Sequence, residues 1–261
     1  MKIFASDYDD TFFKHKDRPI GELEKNIAWV RKWQEAGNLF VFATGRNITT
    51  IGKQGRFVLP YDYVVGLNGG TIALPTGEIL HSVTMDKNTA LKILDIIMSK
   101  KVAGYSINYN TNFHFKAHMT SAHWQLNLIR LKRFFSKYRV SYEEITSGPI
   151  SQISVFTHNN QAAQNFSKLI SRNFGDMVAA YPNVHSVDIC PIGASKATGI
   201  DYIAKIHDVP KENIYAMGDS YNDIPMLQAY TGLTVPKAVD DIKSHASRVH
   251  TSVSDAIKSL M

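Results

Sequence analysis

The sequence predicts an α/β protein in which an open parallel sheet carries the chemistry and a second segment of helices and strands is inserted partway along the chain. Three observations lead there. Apolar, strand-like runs at Ile3-Phe4-Ala5, Asn38-Leu39-Phe40-Val41-Phe42 and Asn213-Ile214-Tyr215-Ala216-Met217 are each followed at once by polar, reactive side chains. In an open parallel sheet ligands bind outside the carboxyl ends of the strands, so groups about two hundred residues apart in sequence can converge there. Residues 70–193 carry no such cluster and have a pattern of their own. Finally, 261 residues is a length at which a single core stops growing, so two domains are expected.

The first run ends in Ser6-Asp7-Tyr8-Asp9-Asp10-Thr11. Side chains alternate along a strand, so Asp7 and Asp9 are expected to point the same way and to repel unless a positive group lies between them. A hard divalent cation together with a phosphate ester meets that need, the cation balancing the carboxylates while one of them attacks phosphorus. An acidic turn that merely closes a strand is the alternative. The second run delivers the hydroxyl of Thr44 to a strand end, followed by Gly45 and Arg46. Leu67-Asn68-Gly69-Gly70 reads as a turn or as a substrate contact. Gly193-Ala194-Ser195 reads as a turn and cap that opens a helix at Lys196, running through Ile203 or beyond. The last run leads into Gly218-Asp219-Ser220-Tyr221-Asn222-Asp223.

In the intervening segment a helical pattern covers Thr89 to Lys100 and a strand-like one Tyr105 to Tyr109. Gln152-Ile153-Ser154-Val155-Phe156 then precedes a helix-like stretch from Gln161 to Arg172.

The ordered set Asp7-x-Asp9-x-Thr11, Thr44, Lys196 and Gly218-Asp219-x-x-x-Asp223 resembles the haloacid dehalogenase superfamily of phosphohydrolases. Thr44-Gly45-Arg46, Leu67-Asn68-Gly69-Gly70 and Gly218 to Leu227 look like its Cof-type branch. The resemblance implies a Rossmann-like doubly wound parallel sheet core from residues 1–81 and 186–261, with an inserted α/β cap at residues 82–185 that governs substrate choice. It implies that Asp7 is the nucleophile that forms an aspartyl-phosphate, and that Asp9 is the acid and base for the leaving oxygen and the attacking water. Thr44 and Lys196 would hold the phosphoryl group, and Gly45, Arg46, Asn68, Gly69 and Asn222 would line the substrate site. The implied cofactor is Mg²⁺, held by Asp7, the carbonyl of Asp9 and Asp219. Asp223 would bind it through water or orient Lys196. One residue departs from the branch: Asp10 stands where it usually has Gly.

Composition narrows the partners. The ligand implied by the resemblance is a small phosphate ester, a sugar phosphate first and a flavin or pyridoxal phosphate next. A phosphomutase or phosphotransferase on the same core, or a non-catalytic metabolite-binding regulator, is the alternative function. The net charge of +6 suits anionic substrates in general. The basic stretch Arg130 to Arg139 has helix-like apolar spacing, and a solvated amphipathic face is preferred over nucleic-acid binding. Neither a P-loop nor a Gly-x-Gly-x-x-Gly fingerprint is present. No window approaches the ~20 apolar residues of a membrane span, and the lone Cys190, read as a packing residue, fits a cytoplasmic protein. Tyr109, Phe113, His114, Phe115 and Trp124 are pocket candidates that also suit a core. Of His114, His118 and His123 only the first two stand at i, i+4, and no zinc site is expected. The sequence does not give the oligomeric state.

Overall fold

The computed structural model describes residues 1–14, 20–54, 57–117 and 139–261. His118, His123, Trp124 and the basic stretch as far as Tyr138 lie outside the described residues.

The chain opens with strand β1 (Ile3–Ser6), the helix Ile20–Glu35 and β2 (Leu39–Ala43). A short antiparallel hairpin follows, formed by β3 (Lys53–Gln54) and β4 (Phe57–Val58). Then come β5 (Tyr63–Gly66), β6 (Thr71–Ala73) and β7 (Ile79–Ser82). The second segment contributes β8 (Gly104–Tyr109), β9 (Asn112–Ala117), β10 (Gln152–Phe156), β11 (Val178–Pro182) and β12 (Ser186–Pro191). The chain finishes with the helix Lys196–Ile206, β13 (Ile214–Gly218), β14 (Thr231–Thr234), β15 (Arg248–Val249) and the helix Val253–Leu260.

Two compact units result, residues 1–81 with 195–261 and residues 82–194. The first holds an eight-stranded sheet ordered β15-β14-β13-β1-β2-β5-β6-β7. From β15 to β5 every neighbouring pair is parallel, and β6 turns antiparallel against β5. Strand order runs one way from β1 to β5 and the other way from β13 to β15. The reversal falls between β1 and β13, the switch point at which such sheets open a crevice beyond their carboxyl ends.

Alternation along the central strands sorts two cores onto the two faces of this sheet. Phe4, Phe40 and Phe42 enter an aromatic cluster with Tyr8, Phe12 and Trp33. Ile3, Ala5, Val41 and Ala43 enter an aliphatic cluster with Ile200 and Ile203 of the helix Lys196–Ile206. Both faces are covered, which is why these strands read as unbroken apolar runs.

The second unit holds a five-stranded antiparallel sheet ordered β11-β12-β10-β8-β9. The helices Lys87–Ser99 and Asn160–Phe174 supply Ala90, Ile93, Leu94, Ile97, Phe166 and Ile170 to its core. Both start on side-chain caps: Asp86 accepts from the Thr89 amide at 2.8 Å and Asn159 from the Ala162 amide at 2.8 Å.

The second crossing differs from the sequence expectation, which placed it after His185. Residues 186–194 belong to the inserted unit because Val187 and Ile189 of β12 pair with Val155 and Ile153 of β10, and β12 also pairs with β11. Cys190 is buried there, its Sγ 3.6 Å from Gln152 Oε1. His114 also serves packing: its ring meets Tyr142 edge-on, its Nδ1 lies 3.3 Å from the Val140 carbonyl, and burial lowers its pKa. Phe115 packs on Phe156, with ring centroids 5.6 Å apart.

Candidate active site

The site forms where β1 and β13 end side by side. The Asp7 amide donates to the Met217 carbonyl at 2.8 Å, carrying the pairing of these strands one residue beyond β1. The Asp7 side chain therefore starts at the switch point. Gly218 ends β13, and a Cβ added there would stand 2.3 Å from Asp223 Cγ, so only glycine lets that carboxylate lie against the strand end.

Asp223 has both oxygens engaged. Its Oδ2 accepts from the amides of Asp219 at 2.9 Å and Ser220 at 2.8 Å, which folds the loop back on itself, and its Oδ1 accepts from Lys196 Nζ at 2.6 Å. The same ammonium donates to Asp7 Oδ1 at 2.6 Å. Lys196 is the first residue of its helix, where the Ser195 hydroxyl accepts from the Thr198 amide at 3.1 Å and the Thr198 hydroxyl accepts from the Ser195 amide at 2.9 Å. A cation at a helix N-terminus opposes the helix dipole. Burial likewise disfavours the Lys196 charge, and Asp223 and Asp7 outweigh it, so the Lys196 pKa is raised and the group stays an ammonium.

Asp219 completes a cluster in which carboxylate oxygens of Asp7, Asp219 and Asp223 lie within 4.8 Å of one another. Thr11 Oγ1 donates to Asp219 Oδ1 at 3.0 Å. One ammonium among three carboxylates leaves negative charge uncompensated. Burial first, then neighbouring Asp223, push Asp219 up to about 6. Asp7 is raised well above the usual carboxylate range, first by burial, with Lys196 opposing and Asp223 and Asp219 adding to the rise. An all-oxygen donor set with excess negative charge fits a hard divalent cation.

Asp9 goes elsewhere. Arg46 grips its carboxylate with both arms of the guanidinium, Nε to Oδ2 at 2.6 Å and Nη2 to Oδ1 at 2.5 Å, and the guanidinium lies 5.1 Å from the centroid of the Tyr8 ring. The expected alignment of Asp7 and Asp9 around one positive group is therefore not what forms: Asp9 pairs with Arg46 and Asp7 with Lys196. Regular alternation stops because β1 ends at Ser6, and the chain turns so that Asp9 bridges to Phe13.

Thr44 is buried at the end of β2, its Oγ1 accepting from the Arg46 amide at 3.1 Å. That leaves the hydroxyl hydrogen to donate. Beyond Gly45, the Arg46 carbonyl accepts from the Leu67 amide at 3.0 Å, tying this loop to the one after β5. There Leu67, Asn68 and Gly69 all have positive φ, at 51°, 52° and 94°. A Cβ on Gly69 would meet the Ser195 carbonyl oxygen at 2.2 Å, so the loop lies directly against the start of the Lys196 helix. Consecutive left-handed residues are strained and collect at functional sites. Asn68 Oδ1 accepts from Asn222 Nδ2 at 2.9 Å, which joins the loop after β5 to the one after β13.

Sequence reasoning missed Tyr8, Thr11 as a partner of Asp219, and Lys237. Lys237 Nζ stands 3.0 Å from Asp10 Oδ1. Nothing in Thr234-Val235-Pro236-Lys237 marks that lysine as more than a turn residue. Asp10 itself has φ 62°, which explains why glycine suits the position and why Asp, tolerant of that region, can replace it.

A family model described as haloacid dehalogenase-like hydrolase matches residues 4–257. The chain belongs to the haloacid dehalogenase-like hydrolases. Among relatives of this family, Phosphatase YwpJ of Bacillus subtilis (strain 168) is 25% identical over 95% of this chain and 94% of that protein. The 5-amino-6-(5-phospho-D-ribitylamino)uracil phosphatase YwtE of the same organism is 23% identical over 97% of this chain and 93% of its own. The solved HAD subclass IIB sugar phosphatase BT4131 superposes with a TM-score of 0.77 at 20% identity, covering 100% of this chain and 99% of that one. This haloacid dehalogenase-like chain is a phosphatase by family, with the family's α/β core and an inserted α/β unit. Among the described residues no helix is long and apolar enough to cross a membrane.

Proposed function

We propose that this protein hydrolyses small phosphate monoesters through an aspartyl-phosphate on Asp7, with Mg²⁺ held by Asp7, Asp219 and the carbonyl of Asp9. The observation that carries this is the Lys196 ammonium, 2.6 Å from both Asp7 and Asp223 at the sheet's switch point, with Asp219 beside them. Because Lys196 occupies one Asp7 oxygen, it fixes the carboxylate's orientation and presents a positive charge to a phosphoryl group arriving beside it. Thr44 donates its hydroxyl to a phosphoryl oxygen, and Asn68 and Asn222, tied together, border the same group with Gly45 and Gly69. When bound, Mg²⁺ offsets the charge shared by the carboxylates and polarises the phosphoryl oxygens.

Asp9 transfers the protons, first to the leaving oxygen and then from the attacking water, and Arg46 holds it in place for both. Asp223, with both oxygens engaged, orients Lys196 and meets the cation only through water. The inserted unit of residues 82–194 sets which ester is accepted. Sugar phosphates are the leading class, flavin and pyridoxal phosphates the next; the names of YwtE and BT4131 support phosphorylated sugar-like and ribityl compounds. A cytoplasmic location accords with the single buried thiol.

The test is phosphate release from p-nitrophenyl phosphate and a panel of sugar, nucleotide and cofactor phosphates, with Mg²⁺ or EDTA, for wild type and Asp7→Asn. Activity that requires Mg²⁺ and is lost in Asp7→Asn is expected. Activity that survives in Asp7→Asn would remove the aspartyl-phosphate route.

A further inference from the structure

We propose that Asn68 is a positioning residue for phosphoryl transfer: it aims the Asn222 amide at the phosphoryl group and acts only through that amide, an assignment that rests on the reading above in which Asn222 borders the group. Asn222 comes one residue before Asp223, whose Oδ1 accepts from Lys196. The Asp223 carboxylate is also tied by two amides, whereas the Asn222 side chain has a single anchor among the described residues. Its Nδ2 donates to Asn68 Oδ1 at 2.9 Å, between positions 154 apart in sequence, and its Oδ1 is buried without a hydrogen-bond partner. One end of the amide is thus fixed by Asn68 and the other is open. Nδ2 keeps a second hydrogen that can donate to a phosphoryl oxygen. A buried acceptor left open costs free energy that an arriving donor returns.

The loop around Asn68 holds that side chain in place from three sides. The Asn68 amide donates to the Thr44 carbonyl at 3.0 Å, and the Leu67 amide to the Arg46 carbonyl at 3.0 Å. Gly69 lies so close to the Ser195 carbonyl that a Cβ has no room. Asn68 therefore bonds to the strand end that carries Thr44, its neighbour rests on the start of the helix that carries Lys196, and its side chain reaches Asn222. At φ 52° and ψ 39° its backbone is left-handed, a conformation that asparagine tolerates better than most residues. A plain turn asks for that tolerance alone. It does not ask for a side chain that is 1% exposed and holds a residue of another loop. Strained backbone that persists next to reactive groups is the pattern of a pre-organised site.

The experiment is steady-state hydrolysis of p-nitrophenyl phosphate, and of the best ester from the panel above, by the full chain as wild type, Asn68→Gly, Asn222→Ala and the double variant, with Asp7→Asn as the blank. Glycine suits the left-handed backbone, so Asn68→Gly removes the side chain and leaves the loop unstrained. The urea midpoint checks folding, and Asn68→Ser, too short to reach Asn222, takes its place where the glycine variant does not fold. Removing the Asn68 side chain is expected to lower kcat about ten- to a hundredfold with KM changed less than about threefold, since a misaimed group costs most in the transition state. Inhibition by vanadate should weaken by a similar factor. Because Asn68 acts through Asn222, the double variant should be no slower than Asn222→Ala alone. Losses that multiply in the double variant would make Asn68 an independent contact or a merely structural residue, and an unchanged kcat would leave it no role; either overturns the assignment. A wild type that releases no more phosphate than Asp7→Asn removes the reading of the site as well, whereas an active wild type with multiplying losses or an unresponsive Asn68 variant removes this assignment alone.

Discussion

Two sets of ion pairs spring from the one loop Asp7 to Thr11, and they differ mainly in depth. Asp7 shares Lys196 with Asp223, with the lysine and Asp223 fully buried. Asp9 and Asp10, two and three residues on, hold Arg46 and Lys237 with a third or more of each side chain exposed. The chemistry of the pairs is alike and their physics is not. Inside, desolvation is severe and each charge depends on its partners; at the rim, water and salt screen every term. The buried set is held by mutual dependence, and the exposed set is weakly held.

Removing the buried cation is the strongest way to sharpen that contrast. Lys196→Met leaves Asp7 and Asp223 buried without their ammonium and is expected to cost about 3–5 kcal/mol, with phosphate release falling about a thousandfold or more. Urea unfolding and the phosphate assay read the two effects; a stability loss below about 1 kcal/mol would erase the distinction between inside and rim. Gly218→Ala comes next. Its Cβ would stand 2.3 Å from Asp223 Cγ, and forcing that carboxylate off the strand end is expected to lower stability by about 1–3 kcal/mol, with activity lost as Lys196 shifts.

The buried set was largely legible in the sequence, and the rim was not. Asp7, Lys196, Asp219 and Asp223 each follow a strand-like run or open a helix, so the parallel sheet alone brings them to one edge. The cap at Ser195 is a local signal of the same kind. By contrast, the grip of Arg46 on Asp9 and of Lys237 on Asp10 depends on how loops turn after β1, β2 and β14, where strand alternation no longer applies. The second domain crossing failed for a related reason. The pairing of β12 with β10 and β11 is a long-range choice, and nothing within Ser186 to Pro191 announces which sheet will take it.

pH separates the two sets by a different route. Asp219 stands at about 6 and Asp7 is also raised, so the folded state holds these protons more tightly than the unfolded chain does. Through these groups, the stability of the cation-free protein rises as pH falls from about 6 toward about 4 and is lost again as pH rises through 6. Cation binding runs the opposite way, because the ion must displace the proton. Apparent Mg²⁺ affinity is expected to fall as pH drops through about 6, by up to about tenfold per unit for each proton the ion displaces. Calorimetry from pH 5 to 8 checks this; affinity flat across pH 6 would mean that the cluster carboxylates are already ionised there.

Arg46→Ala tests the rim with the smallest expected stability change. The guanidinium is two-armed on Asp9 and rests against Tyr8, yet about a third of each partner's side chain is exposed, 34% for Arg46 and 38% for Asp9, so unfolding should shift by no more than about 1 kcal/mol. Turnover should nevertheless fall, by about tenfold or more, because Asp9 loses the clamp that aims it at the leaving oxygen. Arg46→Lys should restore little, since a point charge cannot reproduce two parallel hydrogen bonds. Substrates separate positioning from phosphate binding. If Arg46 acts through Asp9, esters with good leaving groups such as p-nitrophenol, which need little proton donation, should lose less in kcat than sugar phosphates do. If instead the guanidinium binds the phosphoryl group directly, KM should rise alike for both, and the rim would belong with the buried set in holding the substrate.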